Sequence, residues 1–265
     1  MSLHTVYNAS PNINDGTKPS RECVIRLENV WVTYRAPSER IGSFKEYAIR
    51  WMQGKVKNRE FQALENVNLE VYRGEVLGFI GHNGAGKSTL LKLVARVLKP
   101  TRGRVWVKGR VAPLLEFGAG FHPELTGREN VFLNGAILGF TRDEMVEKFD
   151  RIVDFAEMWD FIDAPARTYS SGMWARLGFA VATDVEPDIL IVDEILAVGD
   201  EAFQRKSSAR MQGFREKGAT ILIVSHNMDV IESLCHRVVW IDHGQIKAQG
   251  DPAEVIQEYR RHQNP

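Results

Sequence analysis

Nine residues, GHNGAGKST at positions 81–89, constrain this chain more than any other stretch. They satisfy G-x-x-x-x-G-K-[ST] in full. The flanks supply the context that the pattern needs. VLGFIG before it is a short apolar run, and KSTLLKLVARVL after it has helical spacing up to the stop at Lys99-Pro100. A strand that runs through glycines into a helix turns successive backbone N–H groups inward at the positive end of that helix, which is where phosphates bind. Gly81, Asn83, Gly84, Ala85, Gly86 and Thr89 are expected to form the cradle. Lys87 reaches the β- and γ-phosphates, and the Ser88 hydroxyl meets Mg²⁺.

The rest of the chain reads as an α/β protein. CVIRLENVWVTY and ALENVNLEVYRGE alternate like half-buried strands, and GRVWVKGRVAPLL has strand character. Residues 130–161 carry mainly helical spacing, with a cap at Thr141. DILIVDE and TILIVSH are continuous apolar runs, as in strands buried on both faces of a sheet. RVVWIDHGQIKAQG reads as an antiparallel hairpin and DPAEVIQEYRRH as a short helix. Residues 1–22, rich in Asn, Ser, Pro, Asp and Gly, are expected to be a disordered extension.

A second half of the site follows. Asp193, at the end of one buried run, suits the Mg²⁺ shell, and Glu194 beside it suits the polarisation of an attacking water. His226 ends the other buried run at the same sheet edge, where ligands of open α/β sheets bind. Ser170, Ser171 and Gly172, before the apolar helix from Leu177, offer two hydroxyls and an uncluttered backbone to an anion. His82, His122, His236 and His243 have no comparable context and receive no role.

Charge excludes some partners. Lys+Arg and Asp+Glu number 34 each over 265 residues, which argues against nucleic acid as the main partner. No apolar run approaches the ~18 residues of a membrane span. The first residues lack the basic and apolar regions of a secretory leader. Cys23 and Cys235 have no metal spacing and read as inert thiols in a reducing compartment.

With these motifs in place, the stretch from Cys23 to Tyr259 resembles the ATP-binding-cassette family. The resemblance implies a P-loop nucleotide-binding domain over 23–250, with a RecA-like mixed-sheet core and an antiparallel β subdomain. A helical subdomain is inserted at about 121–185, and 251–265 form a terminal helix and tail. YSSGM, residues 169–173, stands where the family writes LSGGQ, the segment that caps the γ-phosphate of ATP held by the other protomer. Ser170 and Gly172 match that pattern, while Tyr169, Ser171 and Met173 depart from it. AVGD, ending at Asp200, matches the dimer-contact loop, His226 the switch histidine, and Tyr34 the aromatic residue that stacks on adenine. Glu116 occupies the place of a glutamine that joins Mg²⁺ and the transmembrane partner.

The wording around Glu116, YSSGMWARLGFAVAT and DEILAVGDEAFQRK resemble the branch that exports lipid-linked polysaccharides: O-antigens, teichoic acids, capsules. That branch implies a homodimeric ATPase, ATP and Mg²⁺ as cofactors, and a separate permease. It places the ATPase peripherally on the cytoplasmic face of the cytoplasmic membrane, with no nucleic acid. The insert at 36–60 carries Ile41, Phe44, Ala48, Trp51, Met52 and Val56 near one face at helical spacing, with Arg and Lys opposite. It either covers the cassette's own sheet or lies against membrane, permease or glycan headgroup. A soluble cassette acting on DNA or ribosomes is disfavoured by the balanced charge and the absence of heptads. The insert and Glu116 disfavour an importer or drug exporter.

Overall fold

The computed structural model describes residues 22–37, 58–114, 120–184, 187–193 and 200–263; at 35–37, 58–59 and 193 it describes only the backbone. The extension at 1–21, the middle of the predicted insert (38–57), Glu116, Glu194 and residues 197–199 lie outside this set.

Strands β1 (Cys23–Pro37) and β2 (Asn58–Tyr72) pair antiparallel along their whole length. Their ladder runs out to Pro37 opposite Asn58, so the strands extend into both ends of the segment read from sequence as the 36–60 insert. β3 (Val76–Ile80) leads through residues 81–86 into α1 (Lys87–Val94). β4 (Arg102–Val107) returns to the first sheet, giving the order β2–β1–β4. β5 (Val111–Leu114) belongs instead to the second sheet. The strand-like stretch 103–115 is therefore split between two sheets. At the crossover, Arg110 N–H donates to the Asp188 carboxylate (2.8 Å), and Gly109 takes φ 103° beside the same side chain.

The helical subdomain comprises α2 (Gly127–Ile137), α3 (Arg142–Ala156), a 3₁₀ turn (Ala166–Thr168) and α4 (Ser171–Thr183). Thr126 with Glu129 and Thr141 with Glu144 close reciprocal capping boxes. Each box satisfies helix N–H groups that otherwise have no intrahelical partner, and each contributes about 1 kcal/mol. β6 (Ile189–Asp193), α5 (Glu201–Glu216), β7 (Thr220–Val224), α6 (Met228–Leu234), β8 (Arg237–Asp242), β9 (Gln245–Gly250) and α7 (Pro252–Gln263) complete the chain.

The second sheet runs β5–β6–β7–β3–β8–β9, parallel except for β9. Its inner strands are apolar without a break because both faces are covered. Leu77, Phe79, Ile191, Leu222 and Ile241 pack towards the β1–β2–β4 sheet and α1. Their chain neighbours Val76, Ile80, Val192, Ile221 and Trp240 pack on the other face, in the cluster that includes Phe179 of α4, Phe214 of α5 and Ile231 of α6. A period of two with both parities buried is what the sequence of a doubly covered parallel strand requires. Cys235 sits in this core; burial pushes its thiol up to about 12, so it remains a neutral thiol, as its spacing suggested.

Candidate functional site

The strand ladder brings three chain ends to one edge. Phe79, Val224 and Asp193 are level across β3, β7 and β6. Immediately beyond β3 the chain must turn under Ile241, and a Cβ on Gly81 would stand 2.1 Å from that residue's carbonyl oxygen. Gly84 and Gly86 take φ of 81° and 114°, the region that L side chains rarely occupy. A side chain at 86 would also meet the Ala63 carbonyl oxygen at 2.7 Å. The loop is thus glycine-bound by backbone shape and close approach together.

Gly86 is the N-cap of α1 and offers no side-chain acceptor, so the first-turn N–H groups of that helix face a pocket rather than a cap. Lys87, 8% exposed, bends its Nζ back to the carbonyl oxygens of Gly81 (2.6 Å) and His82 (3.0 Å). This places a cation across the mouth of the loop. The pocket holds about 290 Å³. Asn83, Gly84, Gly86, Lys87, Ser88 and Thr89 form one wall, and Val224 and His226 close the side towards β7. Gly81 is buried beneath the loop and Ala85 packs into the core.

Phe61 and Ala63 of β2 complete the lining. Phe61 is 58% exposed, unusual for a large apolar side chain, and stands directly across the ladder from Tyr34. Tyr34, expected from the sequence to meet the base, is itself exposed and is not part of the pocket lining. Among the described residues, Phe61 is the aromatic side chain that lines the pocket. Period-2 alternation assigns Phe61 to a strand but says nothing of what lies above it, so sequence reasoning missed it.

Ser170, Ser171, Gly172, Met173 and Asp200 do not line this pocket. Ser170 is the N-cap of α4 and its hydroxyl oxygen accepts the Met173 N–H at 3.2 Å. Ser170 and Ser171 are exposed. A Cβ on Gly172 would meet nothing nearer than 3.8 Å, so no packing demand keeps glycine there. Met173 leans on the core of the helical subdomain instead of projecting, which accounts for an apolar residue where the family has an amide. Tyr169 is accommodated by a glycine at 127, where a Cβ would lie 2.2 Å from the phenolic oxygen, and its hydroxyl donates to the Phe161 carbonyl at 2.8 Å.

Asp200 caps α5 by accepting the Phe203 N–H at 2.9 Å, and it pairs with Arg176 of α4. The backbone hydrogen bond, then the Arg176 guanidinium, hold its carboxyl below the ordinary carboxylate value. Arg176 also lies over the Phe203 ring, 5.2 Å from its centroid. Arg176 thus links the start of α5 to the serine-bearing helix. In sequence Glu194 is the next residue after Asp193, the last of β6, and Glu116 comes two positions after Leu114, the last of β5; both residues lie outside the described set.

The ABC transporter profile matches residues 64–197, which span both the glycine loop and the β6 edge. The chain belongs to the ABC transporter family. Among members of this family, the O-antigen export system ATP-binding protein RfbB of Klebsiella pneumoniae is 52% identical over 206 residues, 78% of this chain and 84% of that protein. The RfbB protein of Myxococcus xanthus is 50% identical over 221 residues, 82% of this chain but 51% of its own length. The teichoic acids export ATP-binding protein TagH of Lactococcus lactis is 46% identical over 203 residues, 77% of this chain and 43% of TagH. Of solved structures, the dimeric ATP-binding cassette MJ0796 bound to ADP and phosphate superposes with a TM-score of 0.67 at 22% identity, covering 86% of this chain and 98% of that one. That likeness establishes the cassette fold.

Proposed function

We propose that this ABC protein is the ATP-hydrolysing subunit of an exporter of lipid-linked polysaccharide, working as a head-to-tail homodimer against a separate permease. The reading rests above all on the 290 Å³ pocket, where a helix N-terminus, the Lys87 ammonium and two hydroxyl side chains converge. Its complement is the Ser170–Ser171–Gly172 segment, whose two serines are exposed and which, among the described residues, does not line that pocket. In the pair, the glycine loop of one copy and Ser170, Ser171 and Gly172 of the other enclose one ATP. Gly172 lies in the first turn of α4, where no packing demands glycine, and close approach of a partner's phosphate is the use we assign to it.

Within the site, Lys87 leaves the loop carbonyls for the β- and γ-phosphates, Phe61 offers its ring to adenine, and Tyr34 backs it across the ladder. Glu194 orients and polarises the attacking water, and His226 faces the γ-phosphate from the β7 side. For Mg²⁺, the donors fit a hard cation: the Ser88 hydroxyl is exposed in the pocket, and the Asp193 Cα is level with Val224 on its wall. Glu116 is the third proposed ligand. When bound, Mg²⁺ neutralises charge on the β- and γ-phosphate oxygens.

Export as the task comes from the O-antigen and teichoic acid relatives. No helix among the described residues is long and apolar enough to cross a membrane, which suits a subunit held peripherally at the cytoplasmic face by its permease. The insert at 38–57 leaves from the tip of the β1–β2 ladder, and we place it at the permease and the glycan headgroup. Sedimentation of the isolated Glu194→Gln protein tests the pairing. Dimers should appear with ATP and be lost when Lys87→Ala is added. ATP-independent mass, or a monomer throughout, opposes the reading.

A further inference from the structure

A cluster that this function does not use lies behind the glycine loop. His82, its second residue, faces Asp242 and His243, which sit at the turn between β8 and β9. The three donor atoms lie within 4.8 Å of one another. His82 Nδ1 is 2.7 Å from the Asn83 carbonyl oxygen, an atom that only accepts, so Nδ1 carries the proton. In the neutral ring Nε2 then presents its lone pair. That atom is buried, makes no hydrogen bond among the described residues, and stands 3.2 Å from Asp242 Oδ1. His243 Nδ1 approaches the same oxygen at 3.0 Å. The two rings are tilted rather than stacked, with centroids 4.8 Å apart.

We propose that His82, Asp242 and His243 form a site for a first-row divalent cation, with Zn²⁺ the best match, separate from the Mg²⁺ of the nucleotide site. Two imidazoles and a carboxylate are a donor set that Mg²⁺ seldom takes and Zn²⁺ favours. With bonds of 2.0–2.1 Å, neighbouring tetrahedral donors stand about 3.4 Å apart, close to the two spacings already present. The remaining closure falls to His243, whose side chain is 81% exposed at a turn. Fixing the outer nitrogen of His82 on a backbone carbonyl is also the usual way in which a metal-binding histidine is oriented.

The site would tie together two segments whose contact already shapes the loop. Gly244 N–H donates to the Ala85 carbonyl at 2.8 Å, and the His82 carbonyl holds Lys87 Nζ. A cation here stiffens the Lys87 cradle, and slower nucleotide exchange is the expected consequence. The inference does not depend on the exporter reading, and its test omits nucleotide.

Tag-free full chain, with millimolar Mg²⁺ present, is titrated with Zn²⁺ against a chromophoric chelator. One Zn²⁺ per chain is expected, weakened at least tenfold by His243→Asn and by Asp242→Asn. Asn accepts the φ of 46° at position 243, so that turn should be kept. Zinc-edge X-ray absorption of the unmodified protein should report two imidazole ligands, a readout that needs no variant. Failure to bind Zn²⁺ at ~10 µM, an absorption edge without imidazole, or equal affinity in both variants would overturn the proposal.

Discussion

Replacing Phe61 by alanine separates what holds the fold from what holds the base. Phe61 is 58% exposed and belongs to neither apolar cluster, so its removal strips little buried surface. The melting temperature should barely move, since exposed substitutions stay within about 0.5 kcal/mol. Loss of a stacking ring under a base costs about 1–3 kcal/mol, which is roughly a 5- to 150-fold rise in the Kd for ATP. Inorganic tripolyphosphate is the control, because it uses the Lys87 loop and has no base. Calorimetry on both ligands should show weaker ATP binding and unchanged tripolyphosphate binding in Phe61→Ala. Tyr34→Ala, which removes only the backing ring across the ladder, should weaken ATP less than Phe61→Ala does. Equal losses for ATP and tripolyphosphate would mean that the loop itself was disturbed. Unchanged ATP affinity in Phe61→Ala refutes the stacking role.

Glu194→Gln should lower ATP turnover by about 10²–10⁴-fold in a steady-state phosphate-release assay while ATP still binds, as expected for the residue that polarises water. Glu116→Ala should raise the Mg²⁺ concentration for half-maximal hydrolysis, with Glu116→Gln between it and the parent; an unchanged Mg²⁺ dependence in both puts Glu116 outside the metal shell. Residues 38–57 can be replaced by a short Gly-Ser turn because Pro37 and Asn58 already face each other across the ladder. That protein should melt normally and bind ATP yet fail to support polysaccharide export in cells, whereas unfolding would return the apolar stripe to the core.

Much of this architecture is legible in the sequence where a local rule and the tertiary structure agree. VLGFI, ILIVD and TILIV are unbroken because both faces of their strands are covered, and Thr141 with Glu144 announces a helix start in four residues. The glycine loop is readable because φ and close contacts admit only glycine at 81 and 86. Long-range geometry is what stays hidden. Nothing local marks residues 108–110 as the place where the chain changes sheets, since the Asp188 carboxylate that receives the Arg110 N–H is 78 positions away. Phe61 enters the pocket only because β2 passes over the loop. His82 and His243 meet through a loop and a turn that lie 161 positions apart, a juxtaposition that spacing along the chain does not reveal.

The shared site between two copies is tested most directly by mixing protein carrying Ser170→Arg with protein carrying Lys87→Ala. Ser170 is an exposed cap, so its loss costs about 1 kcal/mol and leaves the fold in place. Each parent should be inactive alone. In a mixed head-to-tail pair one composite site collects both lesions and the other is intact, so an equimolar mixture should recover roughly a quarter of the unmodified ATPase rate when intact sites act independently. No recovery, with mixed pairs demonstrated by a tag on one parent, would contradict the sandwich of ATP between the Lys87 loop of one copy and the Ser170 segment of the other.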